Sequence, residues 1–430
     1  MADAAPVAAA QNEDQDQPAP EHGDQKSACS EQKPASSTRA TVLVCIAFAS
    51  SGIAVGSLGP LLPILAAETS TELALMGGIQ SAFAVYALVS SLVSGAVADK
   101  RSALGYRWLG ATLLFAAIGS WALPAAGSFT GALLSIGCQG AAMGAFDSAG
   151  NVFILWAHGA RAGPVIQASH AAFGAGALAA PIFIAWLGDD WGTLCRANAA
   201  VSLLCGLSLA LCETTPTRPE AAAVEGEADA QEAAAALAAA TRGVKASTLV
   251  LFFFYSGLEG CYALLLFTFA VEQLSLSAAE AAALTSAFWL CLLLGRILAV
   301  CLSVRLRAAQ LQAIDMTTMG AALGVLLLVS DSRAGLWVVT CVHGLGIGSF
   351  YASAFSHCGD VIVMSGALST GTVITGSVGK IVLSVVFTSA YSRWAYLYPI
   401  LLVSCWVASA AAYAGQLHYG RLLSADSTQP

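Results

Sequence analysis

Charge is what this chain has least of. Asp, Glu, Lys and Arg make up only 10% of its 430 residues, against 57% hydrophobic. A soluble domain carries about 25% charged residues. Such a chain cannot clothe its surface in polar groups, so its solvent must be lipid. The few charges are also uneven: residues 1–40 hold seven acids and three bases, and residues 213–245 hold six acids and three bases, together 19 of the 44 charged residues. The formal net charge is −8, and no basic patch offers itself to nucleic acid. No Cys/His spacing suits a metal ion. The 12 cysteines, Cys138, Cys261, Cys291 and Cys341 among them, sit mostly in apolar runs and read as buried thiols. There is no Gly-x-x-x-x-Gly-Lys-Ser/Thr loop for ATP and no nucleophile–base pair, so neither an ATP-driven pump nor an enzyme is expected.

What is present is apolar helix. A spanning helix needs about 20 mainly apolar residues. Twelve such segments are predicted: 41–66, 76–98, 107–126, 129–156, 164–187, 197–212, 247–271, 280–303, 309–330, 335–357, 366–391 and 395–417. The predicted architecture is therefore all-α, two six-helix bundles at 41–212 and 247–418. A disordered tail (1–40), an Ala/Glu-rich linker (213–246) and a short tail (419–430) complete the chain. Thirteen of the 18 Lys and Arg fall on the side of the termini, which predicts cytosolic N and C termini.

The two halves repeat one another. Gln80-Ser81-Ala82-Phe83 returns as Thr285-Ser286-Ala287-Phe288. Gly140 and Gly144 return as Gly344 and Gly348, and Gly52 as Gly257. One offset of 204 or 205 fits all three, which points to duplication, a common origin of alternating-access transporters. Glycines four apart let helices approach closely.

Ionisable residues inside apolar helices are the candidate site. Asp147, His170, Glu259, Arg296, His343 and Lys380 all lie within predicted spans. A charge at the bilayer centre costs about 2.5–3.5 kcal/mol, so four unpaired charges would cost roughly 10–14 kcal/mol. They must face a wet cavity or each other. They also ignore the repeat: Asp147 maps to Tyr351, Glu259 to Ala54, Arg296 to Ser91 and Lys380 to Ala175. Something asymmetric requires them. Glu259 and Lys380, opposite in sign and similar in depth, are predicted to pair, with Arg296 as the other partner open to Glu259. Gln139, Asp147 and Asn151 share one predicted helix face, and Gln167 and His170 another. Amides and carboxylates suit a polyol. Trp289, two turns before Arg296, could stack on a sugar ring, and His343 occupies the repeat position of Gln139. Asp147 and His170 are the candidate ion-coupling pair, for H+ or for Na+ on oxygen ligands.

Gly95-x-x-x-Asp99-Lys100-Arg101 resembles the loop signature between helices two and three of the major facilitator superfamily. In that signature an acid pairs with basic loop residues and latches the inward gate. The strings Gly144-x-x-Asp147-x-x-x-Asn151, Gln167-x-x-His170-x-x-Phe173-Gly174-x-Gly176, Gly257-Leu258-Glu259 and Thr285-Ser286-x-Phe288-Trp289 with Gly295-Arg296 resemble its sodium-dependent glucose transporter branch. That branch is related to the fucose–proton symporters. The resemblance spans about 41–418. It implies a twelve-helix hexose carrier of the plasma membrane, some members being cation-coupled. From burial, depth and periodicity the candidate substrate-binding residues are Gln139, Asn151, Gln167, Glu259, Trp289, Arg296, His343 and Lys380, Lys380 having no match in the family strings, with Asp99, Lys100 and Arg101 as the candidate gate. No cofactor is expected apart from Na+ or H+ as coupling ion, and the expected partners are a sugar and the bilayer, the chain acting as a monomer. Two alternatives stay open: a carrier of organic anions held by Arg296 or Lys380, and a non-transporting membrane sensor or scaffold.

Overall fold

In the computed structural model, residues 34–71, 77–212, 216, 218–219 and 229–426 are described. The described residues are helical, with no strand. Most of the tail expected over 1–40, most of the linker before 229 and the last four residues lie outside them.

Twelve helical segments cross the molecule. In the first half they are α1 (Pro34–Glu68), α2 (Gly77–Lys100), α3 (Gly105–Ala122), α4, α5 (Ala162–Leu187) and α6 (Gly192–Ala210). The helix α4 is Phe129–Ala145, a π turn at Phe146–Gly150, and Asn151–His158. In the second half they are α7 (Asp229–Leu274), α8 (Ala278–Leu302), α9 (Ala308–Val329), α10, α11 (Gly366–Tyr391) and α12 (Leu397–Asp426). The helix α10 is Arg333–Gly348 followed by Phe350–Val361. Large apolar side chains lie on the outside, among them Ile118 at 65%, Trp186 at 78% and Leu328 at 82% exposure. A surface of that kind suits lipid and not water.

Three boundaries differ from the sequence expectation. The helix α7 begins at Asp229, inside the predicted linker, because the run of alanines after it is strong helix former with nothing to break it. At 46 residues it is about 69 Å long, well beyond the ~30 Å hydrocarbon core, so its first turns project past the bilayer. The helix α12 likewise continues to Asp426, and α1 starts at Pro34.

The repeat is written into the packing. The pairs α1–α5, α2–α4 and α3–α6 of the first half recur as α7–α11, α8–α10 and α9–α12. A Cβ on Gly140 or Gly144 of α4 would strike the carbonyls of Phe83 or Ala87 on α2. A Cβ on Gly344 or Gly348 of α10 would strike those of Phe288 or Leu292 on α8. Phe83 and Phe288 are 205 apart, as are Ala87 and Leu292, so the same glycines seat the same neighbours in both halves. The interruptions nearly recur too: the break of α10 at Ser349 corresponds to the residue just before the π turn of α4.

The halves meet chiefly through α2–α11 and α5–α8. Gly95 and Gly366 are so close that a Cβ on either would strike the other's helix. Among the described residues, the hydrogen bonds between the halves lie between mid-depth and the end that carries the termini. They include Ser148 Oγ to Thr370 Oγ1 at 2.7 Å, Trp156 Nε1 to the Met364 carbonyl at 3.0 Å and Thr370 Oγ1 to the Ser91 carbonyl at 2.9 Å. At the opposite end Trp191 bonds Glu68 within the first half, and Arg333 and Trp337 bond Glu280 within the second. The halves are thus joined by hydrogen bonds at the termini end.

Candidate functional site

A cavity of about 210 Å³ sits where the halves meet at mid-depth. The interruptions of α4 and α10 open onto it. Asp147 lies in the π turn and Tyr351 just after the break in α10, and both line the cavity. A π turn inserts an extra residue and swings the side chains that follow, a device common at functional sites. His170 and Phe173 come from α5, Tyr255, Ser256 and Glu259 from α7, Arg296 from α8, and Thr372, Ser377 and Lys380 from α11.

The charges are arranged in two groups. Lys380 Nζ stands 3.7 Å from Glu259 Oε1, with Lys380 half exposed to the cavity and Glu259 at 13%. Tyr255 donates its hydroxyl to Glu259 Oε2 at 2.8 Å. Arg296 is spent on backbone: Nε donates to the Gly348 carbonyl at 3.1 Å, and Nη1 crosses between the halves to the His170 carbonyl at 3.2 Å. Of the two partners open to Glu259, Lys380 is therefore the one it takes. Asp147 makes no close ion pair among the described residues; Lys380 and Arg296 act on it from farther away. The His170 ring packs against Phe48 at 5.3 Å and Tyr351 at 4.9 Å, and its Nε2 has no hydrogen-bond partner among the described residues.

The structure brings together Asp147, His170, Glu259, Arg296 and Lys380, and it sets the other candidates elsewhere. Gln139 lies inside the first half, beside Ser120 and Asn198. His343 lies inside the second, fully buried, with its ring 4.4 Å from Tyr262 and 6.1 Å from Phe288. The reason is the same for both. Each is eight residues before a cavity residue, Asp147 or Tyr351, and eight steps of about 100° leave it ~80° around the helix. Four-residue spacing is not a constant face. Asn151 is fully buried below Asp147, where its amide donates to the Asp147 backbone carbonyl at 3.0 Å. Gln167 is buried on the termini side of His170 and donates to the Ser349 carbonyl at 3.1 Å. Trp289 is half exposed, two turns along α8 from Arg296, and is not part of the cavity lining.

The gate is built differently from the expectation. Asp99 does not turn to Lys100 or Arg101, which are exposed. It accepts from the backbone N–H groups of Gly366 and Ala367, both at 2.8 Å, capping the first turn of α11 across the interface. Arg218 approaches it at 3.8 Å. Free N–H groups and the positive end of the helix dipole make a helix N-terminus a better partner than a mobile side chain.

Sequence reasoning passed over several residues. Asp315 lies in the ninth span, 4% exposed, and accepts hydrogen bonds from Ser349 and from Ser353 at 2.8 Å. It was visible as an acid in an apolar run. The tyrosines Tyr255 and Tyr351 were not, since membrane tyrosines carry no charge to mark them.

Two pseudo-symmetric bundles around a charged, central cavity define an integral membrane protein built for alternating access. The chain belongs to the Major Facilitator Superfamily, whose family model matches residues 44–383. It is similar to the sodium-dependent glucose transporter 1A of Mus musculus, 25% identical over 395 residues that cover 84% of this chain and 91% of that protein. Among solved structures it shares the fold of the transporter FucP in its outward conformation, with a TM-score of 0.68 at 18% identity over 90% of this chain and 99% of that one. It also shares the fold of the human organic anion transporter MFSD10, with a TM-score of 0.64 at 17% identity, again over 90% and 99%.

Proposed function

We propose that this chain carries a monosaccharide across a membrane by alternating access, with the substrate in the central cavity and Asp147 as the coupling group. The observation that carries this is the cavity itself: carboxylate, ammonium, phenol and hydroxyl groups around a space between the two halves. Tyr255, Tyr351, Ser256, Ser377 and Thr372 supply donors and acceptors for sugar hydroxyls. Phe173 supplies an apolar face for ring C–H groups. The likeness to a sodium-dependent glucose transporter supports the same substrate class.

Asp147 is the cavity acid with no close cation, so it is the one free to take H+ or Na+. Its loading would bring the halves together around the substrate; His170 beside it would set the geometry. Opening the termini end then requires Asp99 to leave the α11 N-terminus and Arg296 to release the His170 carbonyl. The Lys and Arg excess at the termini end supports a cytosolic placement of that end, and hence the outward-open state here; we place the protein in the plasma membrane as a monomer.

The organic-anion reading is weaker on geometry. Both cavity cations are engaged, Arg296 by two carbonyls and Lys380 by Glu259. Uptake of a labelled hexose panel into proteoliposomes, with and without a sodium gradient and at two pH values, tests the proposal. Cation-driven uptake of at least one hexose is expected. Carboxylate transport with no hexose flux would overturn it.

A further inference from the structure

Asp315 is a buried acid that the transport cycle above leaves unused. It is 4% exposed, on a helix that carries no other charged residue. Among the described residues no cation pairs with it. A carboxylate inside a membrane span is costly, and such residues mark ion and proton pathways. At the repeat offset of 204 or 205 Asp315 maps to Ala111 or Gly110, and at 204 its partners Ser349 and Ser353 map to Ala145 and Ala149. The first half has no such trio, so the shared packing does not require it.

The trio is arranged around one movable proton. Ser349 Oγ donates to Asp315 Oδ1, and Ser353 Oγ donates to Oδ2 at 2.8 Å. The Ser353 hydroxyl has a second acceptor in reach, the Phe350 carbonyl at 3.1 Å. Beside a carboxylate, that hydroxyl points to Oδ2. Beside a carboxylic acid, Oδ2 carries the proton and donates to Ser353 Oγ, and the hydroxyl turns to Phe350. Both states keep the relay bonded without moving a heavy atom. An amide could tie the two serines as well; a carboxylate adds the choice of a proton.

The relay sits on the break of α10. There three successive carbonyls are taken by side chains of other helices: Ile347 by Tyr255 of α7 at 3.4 Å, Gly348 by Arg296 of α8 at 3.1 Å and Ser349 by Gln167 of α5 at 3.1 Å. The Gln167 bond joins the two halves. The side chain of the same Ser349 is held by Asp315 from α9. The titratable and charged groups around Asp315 come from four helices. They are Tyr255, on which its charge acts, Arg296 at the break, His357 of α10 and Tyr413 of α12. His357 Nδ1 lies 2.7 Å from Gln312 Oε1, one turn along α9 from Asp315, and Tyr413 donates to the Ala309 carbonyl at 3.0 Å.

We propose that Asp315 is a second proton-binding residue of the carrier, separate from Asp147, and that its charge controls the α5–α10 joint between the halves. As a carboxylate it holds Ser349 by a charge-assisted hydrogen bond, about twice as strong as a neutral one. As an acid it holds Ser349 less firmly, the Ser349 carbonyl is less well fixed for Gln167, and the halves part more readily at the termini end. The proton would come from that end, where Ser353 belongs to the wall of a cavity of about 490 Å³. The role in transport rests on the reading above; the proton site stands on the geometry alone.

Amide hydrogen exchange of the purified full chain in nanodiscs, followed across a pH series and corrected for the intrinsic rate, tests this without any substrate. In the wild type, residues 349–361 are expected to exchange on the order of tenfold faster at the acid end of the series than at the alkaline end. Asp315→Asn should exchange at the fast rate at every pH, while Asp147→Asn keeps the pH response. Ser353→Ala removes one donor to the carboxylate and should move the midpoint up by about one pH unit. A pH response that survives in Asp315→Asn, or a midpoint unmoved in Ser353→Ala, overturns the proposal. Hexose uptake is measured separately: a pH response that depends on Asp315 in a protein with no hexose flux would keep the proton site and defeat the transport reading.

Discussion

The two halves share a skeleton and differ in chemistry. Gly140 and Gly144 seat α4 on α2 as Gly344 and Gly348 seat α10 on α8. The interruptions of α4 and α10 fall next to one another in the repeat. Yet the cavity takes Glu259, Arg296 and Lys380 from the second half and Asp147 and His170 from the first, and none has its like at the repeat position. Where Asp147 stands in one half, Tyr351 stands in the other. Packing is thus conserved between the halves by backbone contact, which tolerates no side chain, while the cavity-facing positions were free to diverge. Symmetry serves the rocking of the halves; asymmetry serves the cargo.

The skeleton should be the most sensitive part. Gly144→Val and Gly348→Val each drive a side chain into a facing carbonyl. Each is expected to destabilise the protein by about 3 kcal/mol, the upper end for overpacking. Thermal unfolding in detergent measures this; a large loss for one and none for the other would break the equivalence of the halves.

The chemistry should respond the opposite way, unequally. Asp147→Asn is expected to abolish accumulation against a gradient and to leave downhill exchange, while Tyr351→Phe keeps accumulation and raises KM about fivefold, the value of one hydrogen bond. Concentrative uptake in the Asp147 variant would remove its coupling role.

The Glu259–Lys380 pair should be worth less. Removing one partner leaves a charge in the cavity; Lys380 is half exposed, which reduces the cost to about 1–2 kcal/mol. Glu259→Gln with Lys380→Met should recover stability relative to either single variant. No recovery in a thermal-shift double-mutant cycle would mean that the two act independently.

The smallest effect belongs to the gate. Asp99→Asn keeps a weaker cap on α11 and is expected to shift the balance toward opening of the termini end by about 1 kcal/mol. Labelling of a cysteine placed at Ser369 reports it, and an unchanged rate would show that the cap does not hold the seal.

Much of this was legible in the sequence, for definite reasons. Glycines at a fixed offset survive in a sequence because backbone contact demands them, so both the duplication and its packing could be read. Buried charges are costly enough to be conspicuous, so five cavity residues were found and the Glu259–Lys380 pair with them. Faces were harder. Gln139 was placed in the cavity by fours and His343 as its repeat equivalent, and the helix carries both about 80° away. The partner of Asp99 was missed because it is not a side chain at all but the start of α11, 267 residues on. The start of α7 was placed too late because alanine-rich polar sequence, open to partial helix, reads as linker until a spanning helix follows it without a break.

The central claim is that the closed termini end must open for a sugar to move through the cavity. Cysteines at Asp99 and Ala367, which face each other across the α2–α11 contact, allow that end to be locked. Counterflow of labelled hexose in proteoliposomes, with the pair oxidised and then reduced, measures the consequence. The account predicts that oxidation stops counterflow and reduction restores it, with no such response in either single-cysteine protein. Hexose exchange at an undiminished rate through the fully cross-linked protein would contradict it.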